Sequence, residues 1–136
     1  MLPNSTQLIA LFEPLSNWQD RYRQIIQLAK LLPEFPDQLR TEENQIVGCE
    51  NRVWLTCKKM DQQTFIFYGD SEGRIVKGLL TILIILANDK TAEQIIQMDL
   101  LAELRKLRIT DELSDSRQLG VSNIITRINT LTQQNR

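Results

Sequence analysis

Cys49 is the residue of this sequence best placed to do chemistry. It stands in Gly48-Cys49-Glu50-Asn51-Arg52-Val53-Trp54, a stretch that opens with glycine and stays polar until Val53. A cysteine kept for packing more often sits inside an apolar run, as Cys57 does. A thiol in a polar loop ahead of a strand can meet another protein's sulfur, and the attacking species in sulfur exchange is the thiolate. A neighbouring cation favours that form, and Arg52 is close by in sequence. The chain has no histidine, which removes Ser-His-Asp and Cys-His nucleophile pairs, imidazole bases and histidine metal ligands. Activation of Cys49 therefore falls to electrostatics or to a partner protein. The two cysteines lack Cys-x-x-Cys spacing, which argues against a stand-alone dithiol redox enzyme. Gly69 to Gly73 is not a phosphate loop, because it lacks the glycine spacing and the lysine–hydroxyl pair of that motif.

The elements that must hold this thiol are legible from periodicity. Ser5 to Phe12 is a short helical segment stopped by Pro14. Ser16 and Gln19 have capping-box spacing, and Trp18, Tyr22, Ile25, Ile26, Ala29 and Leu32 recur at helical intervals, predicting an amphipathic helix from about 17 to 32. Pro33 to Asn44 reads as an extended surface connection. Arg52 to Met60 and Thr64 to Tyr68 are β-rich and flank Asp61-Gln62-Gln63, which predicts an antiparallel hairpin. Val53, Leu55 and Cys57 share one of its faces, Trp54, Thr56 and Lys58 the other. A short third strand is expected around Ile46 to Gly48, and Gly69 and Asp70 are expected to end the sheet.

Helix follows. Arg74 to Asn88 is apolar nearly all round, as a central buried helix is, with Asp70 or Ser71 as its expected cap. Thr91 with Gln94 opens a helix to about Met98, and Leu100, Leu101, Leu104 and Leu107 outline another. Ser114 or Ser116 caps the last helix, where Val121, Ile124, Ile125, Ile128 and Leu131 form a stripe. The fold class is α+β: helices, a small antiparallel sheet of about three strands, then more helices.

Composition bounds the function. With 136 residues, 42% of them hydrophobic and 24% charged, the chain suits one domain over 1–136. A net charge of −1 offers no basic face for nucleic acid or an anionic membrane. The first ten residues lack a signal-peptide pattern, and the most apolar segment, Leu79 to Ala87, is far shorter than the ~20 residues that span a bilayer. Cytoplasmic residence with reduced thiols is the expectation.

Three blocks carry a resemblance: GCENRVWL at 48–55, GDSEGRIVKGLL at 69–80 and LSDSRQLG at 113–120. With NWQDRYRQIIQLAKLLPEFP upstream at 17–36, their order and spacing are similar to the SufE/CsdE family of cysteine desulfurase partners, over nearly the whole chain. The resemblance implies a SufE/IscU-like fold and identifies Cys49 with the family's reactive cysteine. It further implies a SufS/CsdA-type desulfurase as partner, a pyridoxal-phosphate enzyme that takes sulfur from cysteine and holds it as a persulfide. Cys49 would accept that sulfur and pass it to iron–sulfur cluster assembly or another thiolation pathway. No cofactor is expected on this chain, since pyridoxal phosphate belongs to the partner. Two cysteines without histidine are too few for a bound cluster.

The resemblance also places Arg117 near the reactive loop, where with Arg52 it becomes a candidate thiolate or loop stabiliser. Gly48, Glu50, Asn51, Asp70 and Glu72 are the candidate loop supports or partner contacts. Trp54 is expected to pack under the loop, Cys57 to be a buried strand thiol, and the Cys49 sulfur to rest against apolar neighbours until docking opens the loop. A second reading is a partner that activates the desulfurase allosterically and carries no sulfur.

Overall fold

The computed structural model describes residues 2–136. Helices α1 (Ser5–Phe12) and α2 (Trp18–Ala29) come first, followed by strands β1 (Val53–Lys59) and β2 (Thr64–Ser71). Then come α3 (Arg74–Ala87), β3 (Lys90–Thr91), α4 (Ala92–Gln97), α5 (Leu100–Lys106) and α6 (Asp115–Gln134). The sheet is antiparallel in the order β1-β2-β3, with helices before and after it, which is the expected α+β architecture.

Local chemistry explains where the helices start. Asn4 and Gln7 exchange side-chain and backbone bonds in a capping box, as do Thr91 and Gln94. The cap of α2 is Asn17, whose side chain accepts from the Asp20 N–H, in place of the expected Ser16–Gln19 pair. That helix ends at Ala29, and Lys30 to Leu32 continue as tighter turns, so its regular part stops short of the predicted boundary at 32. Ser114 Oγ accepts from Arg117 N–H at 3.3 Å and opens α6.

The sheet departs from expectation in three places. First, β2 does not end at Tyr68 but continues through Gly69 and Asp70 to Ser71, opposite Leu55, Trp54 and Val53. Gly69 belongs there because a Cβ would meet the Trp54 carbonyl at 2.6 Å and the Leu80 side chain at 3.1 Å, so its absence lets α3 lie close on the sheet. Second, Ile46 to Gly48 is not a strand. Gln45 makes one isolated bridge to Trp54, flanked by Ile46 N–H to Val53 O and Leu55 N–H to Asn44 O, both 2.8 Å. The third strand is Lys90–Thr91, pairing with Phe65 and Thr64; two residues are too few to show a period of two.

Third, Pro33 to Asn44 is not an extended surface connection. It contains a 3₁₀ turn at Asp37–Leu39 and buries Phe35 to 3% exposure. The Arg40 guanidinium lies 5.0 Å from the Trp54 ring centre and 5.5 Å from that of Phe35. This segment covers the Trp54 face of the hairpin, so Val53, Trp54 and Leu55 are all buried although their side chains alternate.

The opposite face, with Val53, Leu55, Phe65 and Phe67, packs into one apolar core with α1, α2, α3 and α6. Helix α3 runs through it and is buried from Leu79 to Ala87. Each Leu or Ile side chain buried there contributes roughly 1.5–3 kcal/mol relative to exposure. At Gly78 a Cβ would lie 2.3 Å from the Ile25 carbonyl oxygen, so glycine permits the α2–α3 crossing. The α3 N-cap is Gly73, with no side-chain cap bond: neither Asp70 nor Ser71 serves the role expected of it. Ser71 Oγ instead accepts from Gly73 N–H at 3.3 Å, and Asp70 is engaged elsewhere.

Candidate functional site

The chain leaves the core at Ile46, which is 5% exposed, and one residue later Val47 projects into solvent at 89% exposure. Gly48 then adopts φ +89°, a conformation L side chains resist, and turns the backbone inward again. Cys49 follows, half-buried with its side chain against the core. The run from Glu43 to Gly48 forms a strap laid along α6. Asn123 Nδ2 donates to Gly48 O at 3.2 Å, and the Arg127 guanidinium donates to Glu43 O. Residues four apart share a helix face, so two successive turns of α6 hold the two ends of the strap.

Burial pushes the Cys49 thiol above its ordinary pKa, and hydrogen bonding by Asn123 offsets this only in part. No cation contributes, so the resting group is a thiol at neutral pH. Neither Arg52 nor Arg117 therefore favours the thiolate in this conformation, while Arg52 braces the loop's exit. Arg52 Nη2 lies 2.6 Å from Glu72 Oε2, and its guanidinium stands 5.3 Å from the Trp54 ring centre. The backbone repeats that link, with Arg52 N–H donating to Glu72 Oε1 at 3.3 Å and Glu72 N–H to Arg52 O at 3.1 Å. The ion pair holds the Glu72 carboxyl below its usual range, but both groups are well exposed, so it clamps the strand start without adding much stability. Arg117 sits on the first turn of α6, just under two turns or about 9 Å along the axis from Asn123. Its side chain makes no hydrogen bond or ion pair among the described residues.

The other candidates divide. Glu50 is exposed, and its side chain has no bonded partner among the described residues. The Asn51 carboxamide rests on Gly73, where a Cβ would come within 2.5 Å of Nδ2, so the loop's exit docks on the start of α3. Asp70 is the acceptor in a half-buried hub. Its Oδ2 lies 2.7 Å from Arg40 Nη1 and its Oδ1 3.2 Å from Lys77 Nζ. Trp54 is buried as expected, but between the Arg40 and Arg52 guanidinium groups.

Cys57 is half-buried, and its Sγ accepts from Asn135 Nδ2 at 3.7 Å. It lies in a polar groove with Glu43, Asn44 and Arg127, beyond the far end of the strap from Cys49. Both cysteines are free thiols, and no group of three potential metal ligands occurs among the described residues. Among the described residues no helix is long and apolar enough to cross a membrane.

Sequence reasoning missed Asn123, Arg127 and Arg40. The first two flank the apolar stripe of α6 and look like a solvated face, because their partners lie 75 and 84 residues away. The capacity of the arrangement is a nucleophile kept protonated and sheltered, on a turn that an incoming surface can reach. Leu119, 56% exposed and one turn before Asn123 on α6, joins Val47 as apolar surface available to that visitor.

Comparison with known proteins is consistent across sequence and structure. Residues 6–132 match the SufE family, described as an Fe-S metabolism associated domain. The sulfur acceptor protein CsdE of Escherichia coli (strain K12) is 42% identical over 123 residues, which is 90% of this chain and 84% of that protein. The fold is similar to a solution structure of a hypothetical protein from Thermus thermophilus, with a TM-score of 0.76 at 15% identity. The match covers 98% of this chain and 97% of that one.

Proposed function

The chain belongs to the SufE family, and from that premise we propose that it accepts sulfur on Cys49 from the persulfide of a cysteine desulfurase and thereby stimulates that enzyme. The observation that carries the reading is the Cys49 thiol itself, folded back against the core immediately after an exposed, glycine-turned tip. Docking draws the loop outward, which removes the burial that raises the thiol's pKa, so Cys49 ionises more readily and gives its proton to solvent. The thiolate attacks the outer sulfur of the desulfurase persulfide. One sulfur–sulfur bond forms as another breaks, Cys49 becomes the persulfide, and the desulfurase cysteine leaves as a thiolate.

Removing that product frees the desulfurase for another turnover, which accounts for stimulation. Pyridoxal phosphate remains with the partner, and this chain needs no cofactor of its own for the exchange. The exposed Val47 and Leu119 side chains suit contact with a protein surface. Onward delivery is to iron–sulfur cluster assembly or another thiolation pathway, in the cytoplasm.

Intact-mass spectrometry after incubation with desulfurase and cysteine tests the assignment. The wild type is expected to gain one or more sulfur atoms, and Cys49→Ser none, with stimulation lost as well. A serine variant that still stimulates the enzyme fully would instead mark an allosteric activator.

A further inference from the structure

Resting on the sulfur-acceptor reading above, we propose that Asn123 is a positioning residue for that reaction. Its carboxamide is the latch that holds the turn at Gly48 closed, and a docking partner must release it before Cys49 can move. The segment between Ile46 and Val53 is anchored at each end by a buried side chain. Between those anchors, the Asn123 bond to Gly48 O is what joins the tip to α6. The neighbouring Ile124 is fully buried, so the helix holding the latch is fixed in the core.

Gly48 and Asn123 also fit each other sterically. A Cβ at position 48 would stand 3.1 Å from Asn123 Nδ2, so the amide occupies the space that a side chain would need. Glycine thus serves twice, by adopting φ +89° and by admitting the latch. Opening has a chemical consequence. Burial is the larger influence on the thiol and Asn123 the smaller, so leaving both brings Cys49 back toward an ordinary thiol, which ionises more readily.

The test uses the full chain alone, without desulfurase, and reads alkylation of Cys49 by iodoacetamide through peptide mass spectrometry. Because reaction proceeds through the open population, Asn123→Ala is expected to raise the rate about fivefold, the factor that losing one ordinary hydrogen bond implies. Asn123→Asp keeps the size but cannot donate to the Gly48 carbonyl. It is expected to open the turn and also to shift the pH profile of alkylation upward, because its charge opposes the thiolate. Alkylation of Cys57, in the groove beyond the strap, is expected to keep its wild-type rate in both variants, whereas a merely structural loosening would raise it too. Thr126→Ala, at an exposed position of the same helix, is expected to react as the wild type. Wild-type rates and profiles in both Asn123 variants, with helical circular dichroism intact, would overturn the latch, as would equal acceleration in Thr126→Ala. Should the alanine variant melt, the isosteric aspartate carries the same decision. The sulfur-acceptor reading falls on a different result, sulfur uptake by Cys49→Ser, so the two failures are distinguishable.

Discussion

Asp70 Oδ2 lies 2.7 Å from Arg40 Nη1, joining the open end of the hairpin to the segment that covers it. Asp70 stands directly opposite Trp54 in the β1–β2 register, and Arg40 lies over the Trp54 ring, so the three groups form one stack on that face. The ion pair thus fastens the platform from which the Cys49 loop departs.

Burial pushes the Asp70 carboxyl up, but Arg40, the Ser71 N–H and Lys77 together outweigh it and leave its pKa lowered. A carboxyl lowered by folding adds stability that is complete above its unfolded value, near 3.9, and is lost as pH falls through the folded value. Asp70→Asn is expected to cost about 1.5–3 kcal/mol at pH 7, the range for a hydrogen bond to a charged group. Thermal denaturation should show the gap between variant and wild type persisting at pH 5 and closing only below the ordinary carboxylate range. A gap unchanged at low pH would mean the loss is not electrostatic.

Two glycine-to-alanine changes should move stability in opposite directions. At Gly78 the new Cβ meets backbone, the Ile25 carbonyl at 2.3 Å, which cannot give way without shifting α2. Overpacking of that kind costs about 1–3 kcal/mol, exceeding the gain of up to ~1 kcal/mol in helix propensity. At Gly120, also helical, nothing lies within 4 Å of the added carbon, so the propensity gain stands alone. Gly78→Ala should lower Tm and Gly120→Ala raise it, by about 4 °C per kcal/mol in a domain of this size.

Both thiols are raised by burial, so the folded chain keeps protons that the unfolded chain releases near pH 8.5. Above that pH the unfolded state binds fewer protons, and stability must fall as pH rises. The urea midpoint is therefore expected to decrease between pH 7.5 and 9.5. The decrease should be smaller in a Cys49→Ser, Cys57→Ser double variant; an identical slope would show that the thiols do not contribute.

Cys57→Ala should retain sulfur uptake. Its thiol sits beside Asn135 in the groove beyond the strap, so the loss is confined to one weak acceptor and a little packing. Persulfide formation on Cys49 measured by intact mass is expected to match the wild type. Loss of transfer in a folded Cys57→Ala protein would implicate the second sulfur.

Elements carried by local pattern were legible before the structure. Thr91 and Gln94 form the capping box their spacing implied, and the apolar run from Leu79 to Ala87 is the buried heart of α3. What escaped depends on pairing across the chain. Arg40 sits in a proline-flanked polar stretch that shows no period, and its meaning comes from Trp54 and Asp70. Cys49 stands out by its surroundings in the sequence, whereas Asn123, one polar residue on a helix, gains significance only when Gly48 is laid against it. Arg52 and Arg117 were chosen for charge near the thiol. Charge is satisfied by the closest opposite partner, and for Arg52 that is Glu72.

Tether length sets the manner of the encounter. Ile46 and Val53 act as two fixed posts, and Cys49 is the third residue out from the first. Even drawn straight, three residues reach only about 10 Å. The donor must therefore bring its loaded sulfur nearly to the sheet's edge, because this chain has no long arm with which to meet it halfway. Adding flexible residues beside Gly48 would widen the search volume while diluting the thiol within it.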